Sequence, residues 1–305
     1  MDVPFFPKVI RVEPASQCNL LCSHCPTGTV DMNRGIMQDQ CFSKVKEYIS
    51  KYKEHIKVIV LYHGGEPLLN KNFYDYVKIL KRIKKSFFIK TVTNGMVLNK
   101  KNSQKILESG IDLIEVSLDG ESKNDSQNIR RKSKTDLIIE NLKYLLQLKK
   151  DLNKNSPKIC ICSTQFLKYS DDNPLNELPQ IPDWLIKLFS NEVEYKTNYA
   201  LEWPHMGSIK DNYKTKVFKE DKESNYCDHV HNLMTIRSNG DVVACCYDLT
   251  SKLVMGNILQ EDPIKIWNNQ EYHQLRESIK SKNFKSICAN CAVVKPNKYL
   301  IKKNN

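Results

Sequence analysis

The sequence predicts an α/β fold: a partial (β/α)6 TIM-like barrel followed by a small, cysteine-bearing C-terminal module. Three observations carry this. Over the first two-thirds of the chain, short β-rich runs alternate with amphipathic helical stretches, the pattern of parallel βαβ units with right-handed crossovers. Six such runs occur, two short of the eight that close a barrel, so the barrel is expected to be open. After about residue 215 the alternation stops, and a hairpin signal and clustered cysteines replace it.

The expected strands are Val9–Glu13, Val58–His63, Phe87–Thr93, Leu113–Ser117, Lys158–Gln165 and Val193–Tyr199. Helical stretches near 38–53, 71–84, 98–109, 133–150 and 182–190 lie between them. In these, apolar residues recur at three- and four-residue steps, as in Leu137, Ile138, Leu142, Leu145 and Leu146. Functional residues of such folds gather at the C-terminal ends of the strands. A Lys-, Asp- and Asn-rich segment, Ile209–Asn225, then leads to Cys227. Asn239-Gly240 between the apolar runs Leu233–Arg237 and Val242–Cys246 signals a hairpin. A helix is expected over Pro263–Ser281, ahead of Cys288-Ala289-Asn290-Cys291. The division expected is a barrel over 1–215 and a module over 216–305.

No run of eighteen apolar residues is present and the N-terminus lacks a secretory pattern, so a soluble, cytoplasmic protein without a membrane partner is expected. The net charge of +12 comes from lysines scattered along helix faces, which reads as solvated surface rather than a nucleic-acid footprint. The terminal Lys302-Lys303-Asn304-Asn305 reads as a solvated tail. Eleven cysteines cannot all pair, and in a reducing compartment such richness favours metal ligation or redox chemistry over disulfides.

Just after the first strand the chain reads Cys18-Asn19-Leu20-Leu21-Cys22-Ser23-His24-Cys25. Three thiolates in one loop can hold three irons of a four-iron cluster and leave the fourth iron open. Zinc would need a fourth ligand, for which only the awkwardly adjacent His24 offers itself. Strand two ends in His63-Gly64-Gly65-Glu66-Pro67, strand three in Thr93-Asn94-Gly95 and strand four in Ser117-Leu118-Asp119-Gly120, with Asn128-Ile129-Arg130 beyond. Glycines admit a close ligand, and a carboxylate can meet a cationic amine. Singly, each of these segments would pass for an ordinary turn. Downstream, Cys227, one of Cys245-Cys246, Cys288 and Cys291 make four thiolates, which by spacing alone suit a zinc module.

The C-x3-C-x2-C loop with these strand ends resembles the radical S-adenosylmethionine (SAM) superfamily. The resemblance implies a [4Fe–4S] cluster on Cys18, Cys22 and Cys25 that binds and reductively cleaves SAM. It further implies His24 beside the adenine and Gly64, Gly65 and Glu66 at the SAM amino group. Thr93, Asn94, Ser117 and Asp119 would recognise the ribose and methionyl carboxylate, and Arg130 would pair with an acidic group. The C-terminal segment, through Asn239-Gly240-Asp241-Val242, Met255-Gly256-Asn257-Ile258, Ile266-Trp267 and Leu275-Arg276, resembles the SPASM/twitch extensions. That implies an auxiliary [4Fe–4S] cluster on Cys227, Cys245, Cys288 and Cys291, and hence a C-terminal iron–sulfur module.

Adjacent strand residues face opposite ways, so Cys246 is expected to be a free thiol, either a hydrogen-atom donor or a small buried hydrophobe. Cys160 and Cys162 share one face of strand five, with core packing the default, and Cys41 reads as structural. Glu202, Trp203 and His205 fall near the barrel mouth. The resemblance to short, single-auxiliary-cluster aminocyclitol dehydrogenases and radical epimerases implies an oxidoreductase or epimerase acting on a small polar substrate such as a sugar or aminocyclitol. A peptide-modifying maturase is the alternative, and a zinc-stabilised nucleic-acid-binding protein the third reading. An electron donor such as flavodoxin or ferredoxin is the implied partner.

Overall fold

Six short strands form the frame: β1 (Val9–Val12), β2 (Val58–Leu61), β3 (Phe88–Thr93), β4 (Leu113–Ser117), β5 (Lys158–Gln165) and β6 (Glu194–Tyr199). This computed structural model describes residues 5–168, 178–206, 213–218 and 222–303. Each strand pairs in parallel with the next, as alternating strand and helix patterns require. The helices between them are α1 (Pro26–Thr29), α2 (Asp39–Lys51), α3 (Phe73–Ile83), α4 (Lys100–Ser109), α5 (Lys123–Ile129), α6 (Thr135–Asp151) and α7 (Asp183–Phe189).

Strand parity separates two environments. Ile10, Ile59, Leu61, Ile89, Ile114, Val116 and Ile161 are buried in the main core. That core also takes the apolar stripes of the helices, such as Phe73, Val77 and Leu80 of α3 and Ile138, Leu142 and Leu145 of α6. The alternate residues carry polar groups. Lys90 of β3, Glu115 of β4 and Lys196 of β6 meet as ion pairs of 3.1 and 3.7 Å about the buried Glu115 carboxylate.

The C-terminal segment extends the same sheet. The hairpin forms as β8 (Leu233–Ile236) and β9 (Asp241–Val243), and a further strand, β10 (Val254–Asn257), continues it. β8 lies parallel to β1 on the side away from β2, so the sheet order is β10-β9-β8-β1-β2-β3-β4-β5-β6. Gly240, with φ of 90°, supplies the left-handed turn residue. Two strands arise where none was expected: β7 (Tyr213–Lys216), inside the polar 209–225 segment, pairs antiparallel with β11 (Tyr299–Lys302). Lys302 is therefore not a solvated tail residue; its ammonium pairs with Asp125. Asn304 and Asn305 lie outside the described residues.

The helix expected over Pro263–Ser281 divides into α9 (Pro263–Trp267) and α10 (Gln270–Lys280). The Asn269 side chain accepts the Tyr272 N–H and starts a new helix. α8 (Asp228–Asn232) precedes the hairpin. Among the described residues no helix is long and apolar enough to cross a membrane.

One buried ion pair ties the hairpin to the first two strands. Glu13, just past β1, receives Arg237 Nε at 3.1 Å, the Ser238 N–H at 3.1 Å and the Gly64 N–H at 3.0 Å. Burial works to raise the Glu13 pKa, but His63, the Arg237 guanidinium and the Ser238 N–H outweigh it and hold the carboxyl well below the usual range. This stabilisation is complete above the ordinary carboxylate range and is lost as acidification protonates the folded-state group. Arg237→Ala strands the Glu13 charge and is expected to cost roughly 3–5 kcal/mol in a urea unfolding experiment. A loss below about 1 kcal/mol would show that the pair holds nothing together.

Candidate active site

The C-terminal ends of the strands surround a cavity of about 390 Å³. Its wall brings together Cys18, Cys22, His24, Cys25, Gly64, Gly65, Glu66, Thr93, Asn94, Ser117, Asp119 and Arg130. Every residue expected in the SAM and first-cluster set therefore meets in one place.

The cysteine loop is held from both sides. The Leu21 N–H donates to the Arg131 carbonyl at 3.0 Å, and the Ser23 N–H donates to the Ile129 carbonyl at 3.1 Å. α1 packs so closely beneath the loop that a Cβ on Gly28 would lie 2.5 Å from the Cys22 carbonyl oxygen. Only glycine allows that approach, and reading the sequence missed it because the contact is made in space. Burial pushes the Cys22 thiol up to about 12 and raises Cys18 as well. Binding an ion or cluster here must therefore release thiol protons.

Glu66 also has a structural task. Its Oε1 accepts from Thr93 Oγ1 at 2.8 Å and from the Leu68 N–H at 3.1 Å, while Oε2 accepts from the Asn94 N–H at 2.7 Å. The carboxylate thus ties the end of β2 to the end of β3 and is not a free ligand in the cavity. One lone pair of Oε2 remains for an amine. Asn94 is also tied down: its Nδ2 donates to Asn19 Oδ1 at 2.8 Å and approaches Cys18 Sγ at 3.8 Å.

Asp119 receives Arg130 at 2.6 Å and the Thr164 N–H at 2.9 Å, with His24 Nε2 at 3.6 Å. Burial would raise its pKa, but Arg130 and His24 overcome that and lower it. Burial lowers the His24 pKa, against the pull of Asp119. His24 Nδ1 and Arg130 Nε are buried without hydrogen-bond partners. Such unmatched buried polar atoms, the Arg130 N–H among them, suit a polar ligand.

Toward the mouth, Cys162, Thr164, Asn198, Glu202, Trp203 and Tyr247 complete the wall. Glu202 and Trp203 are where topology placed them. His205 is exposed and lies outside the cavity lining. Thr164 and Asn198 were missed, although the strand-end rule applied to β5 and β6 would have found them.

Cys227, Cys245, Cys288 and Cys291 are buried together below Tyr247. Burial, with each other's charges, raises these thiols, Cys288 to about 12 and Cys291 to about 11. Cys246 does not face the cavity. Its Sγ lies 3.6 Å from His229 Nδ1, whereas Cys162 of β5 lines the cavity in addition to the three cysteines of the first loop. No three His, Cys, Asp or Glu side chains among the described residues converge as around a single ion.

A parallel partial barrel with a thiol-rich cavity at its strand ends and a second buried cysteine group has the donors that iron–sulfur centres take. Residues 12–156 match the radical SAM superfamily, and residues 227–292 match SPASM, an iron–sulfur cluster-binding domain. The chain carries a radical SAM domain followed by a SPASM domain and is an enzyme, and these domains support SAM and iron–sulfur clusters as its cofactors.

Over 322 aligned residues it is 24% identical to a tungsten-containing aldehyde ferredoxin oxidoreductase cofactor-modifying protein of Pyrococcus furiosus, covering 94% of this chain and 87% of that one. Its fold is similar to that of BtrN in complex with AdoMet and 2-DOIA, with a TM-score of 0.60, 22% identity, and coverage of 95% and 94%. It is also similar to Streptococcus suis SuiB bound to precursor peptide SuiA, with a TM-score of 0.62, 16% identity, and coverage of 90% and 67%. At these identities the solved structures speak for the fold alone.

Proposed function

We propose that this enzyme removes a carbinol hydrogen from a small polar substrate, of sugar or aminocyclitol type, and completes its oxidation to a ketone. In this reading Cys18, Cys22 and Cys25 hold the SAM-binding cluster, and Cys227, Cys245, Cys288 and Cys291 hold a second one. The donor chemistry fits: both sets consist of free cysteine thiols, the ligands that iron–sulfur clusters take. A reduced cluster with SAM bound supplies a one-electron cleavage that yields an adenosyl radical.

The chain's own residues supply the rest. Gly64 and Gly65 admit the ligand, Glu66 and Asn94 fix the strand ends around it, and His24 and Arg130 carry polar atoms still unmatched. Thr164, Asn198 and Glu202 offer hydrogen bonds to a hydroxylated ring, and Trp203 offers it an aromatic face. Glu202, whose ion-pair contact among the described residues is Lys298 at 3.9 Å, would take the hydroxyl proton.

The observation that carries the oxidation is the position of Tyr247. It lines the cavity and also feels the charges of Cys245, Cys246, Cys291 and Cys227. A residue that lines the cavity and is also within electrostatic reach of the second thiol set brings an electron acceptor held there close to the substrate. Cys245→Ala, Cys288→Ala and Cys291→Ala are therefore expected to retain a substantial part of deoxyadenosine formation while product falls at least about a hundredfold. Product formation undiminished in all three would refute the second site's role.

Two other outcomes are chemically available. The cavity-facing Cys162 thiol would return a hydrogen atom and give an epimer, and the mouth could accept a peptide side chain. Anaerobic turnover with a panel of sugars, aminocyclitols and peptides separates them. A ketone formed one-for-one with deoxyadenosine supports the proposal. Solvent deuterium incorporated without oxidation, or modification of peptides alone, overturns it.

A further inference from the structure

The run of chain that leads into the first cysteine loop is stitched to the segment that follows α1. The Ser16 N–H donates to the Gly35 carbonyl at 2.8 Å, the Gly35 N–H donates to Ser16 Oγ at 2.7 Å, and Gln17 Nε2 donates to the Arg34 carbonyl at 3.3 Å. Ala15 and Ile36 add an antiparallel bridge. The backbone around Arg34 is thus held against residues 15–17. Its guanidinium reaches back to α1, where Nη2 donates to the Val30 carbonyl at 3.3 Å and to the Pro26 carbonyl at 3.4 Å.

The other terminal nitrogen, Nη1, is buried and has no hydrogen-bond partner among the described residues. Arg11 Nε and Arg130 Nε are also unmatched, but Arg130 pairs with Asp119, and Arg11 lies over the Tyr62 ring and donates to the Tyr62 carbonyl. Arg34 forms no ion pair among the described residues. Glu13, whose charge it feels, is engaged by Arg237, Ser238 and Gly64. The remaining negative groups that act on Arg34 are Cys25 and Cys18 of the first loop. A guanidinium stays charged, so a cation with an unmatched buried N–H stands within electrostatic reach of two of the three thiols.

We propose that Arg34 is a positioning residue for the first cluster: its Nη1–H donates to a sulfur of that cluster and eases its reduction. The proposal rests on the reading that Cys18, Cys22 and Cys25 hold the SAM-binding cluster. The step takes one electron from an external one-electron reductant and adds it to the cluster; the guanidinium keeps its protons and no bond breaks. Added charge makes the cluster more negative, and a fixed cation with a hydrogen bond to sulfur favours that state and raises the potential.

The test is an anaerobic potentiometric titration of the cluster-loaded enzyme with dithionite and mediator dyes, read by electron paramagnetic resonance, in wild type, Arg34→Gln and Arg34→Lys. The signal that changes on adding SAM belongs to the first cluster, and the other signal is the internal control. Arg34→Gln is expected to make reduction of the SAM-sensitive cluster at least about tenfold less favourable, a midpoint lower by about 59 mV for one electron. Arg34→Lys, which keeps the charge but not the planar fork, is expected to fall between the two. A purely structural role, through the two bonds to α1, would lower stability and leave the potential where it is. An unchanged midpoint in Arg34→Gln, or in Arg34→Lys should the Gln variant hold no iron, would overturn the proposal, and so would an equal fall in both signals. Absence of any SAM-sensitive iron–sulfur signal in the wild type would instead strike the cluster reading.

Discussion

Replacing any one of Cys18, Cys22 and Cys25 with alanine is expected to abolish reductive SAM cleavage, a loss of at least about a thousandfold, with the fold intact. The loss is total because the three thiols act as one unit: with two, a cluster has neither its full set of protein ligands nor a defined open iron. The fold survives because the loop's attachments do not run through its sulfurs. Backbone bonds from Leu21 and Ser23 reach Arg131 and Ile129, and Ser23 Oγ lies 2.5 Å from Tyr213 Oη. Deoxyadenosine measured by chromatography after anaerobic reduction reads the effect, and circular dichroism reads the fold. Deoxyadenosine from a folded variant at more than a few per cent of wild type would refute the ligand assignment.

Gly65→Ala is expected to weaken SAM binding by at least about tenfold and to destabilise the protein by roughly 1–3 kcal/mol. An added Cβ would lie 2.3 Å from the Ala15 carbonyl oxygen, 2.5 Å from that of Gln17 and 2.6 Å from the Ser16 carbonyl carbon. These are backbone atoms and cannot swing aside. The Glu66 N–H donates to that same Gln17 oxygen at 2.8 Å, so any shift of the loop displaces Glu66 and the strand ends it joins. Gly35 is the control, since nothing lies within 4 Å of the equivalent Cβ. Calorimetric titration of the cluster-loaded protein with SAM decides the matter. Affinity equal to wild type in Gly65→Ala would show that the close approach serves no ligand.

The first cavity was legible because its chemistry is local. Cys18 to Cys25, Gly64 to Glu66, Thr93-Asn94 and Ser117 to Asp119 are short segments, each at the end of a strand whose pattern is itself visible. What a side chain does once there depends on residues far away in sequence. Glu66 reads as a ligand carboxylate, and only the fold shows that Thr93, Leu68 and Asn94 take all but one of its acceptor positions, while Asp119 is committed to Arg130 and Thr164. Cys246 and Cys162 were ranked by neighbours in sequence, whereas the folded sheet decides which thiol meets the cavity. The β7–β11 pair joins residues more than eighty apart through strands too short and polar to stand out. The parallel docking of β8 on β1 follows from no periodicity in either strand.

Iron analysis of the anaerobically reconstituted, folded protein tests the two-cluster account most directly. About eight irons per chain is the expected result, four for each thiol set. Four irons or fewer, with zinc filling the C-terminal cysteines, would contradict it and remove the electron acceptor that the proposed oxidation requires.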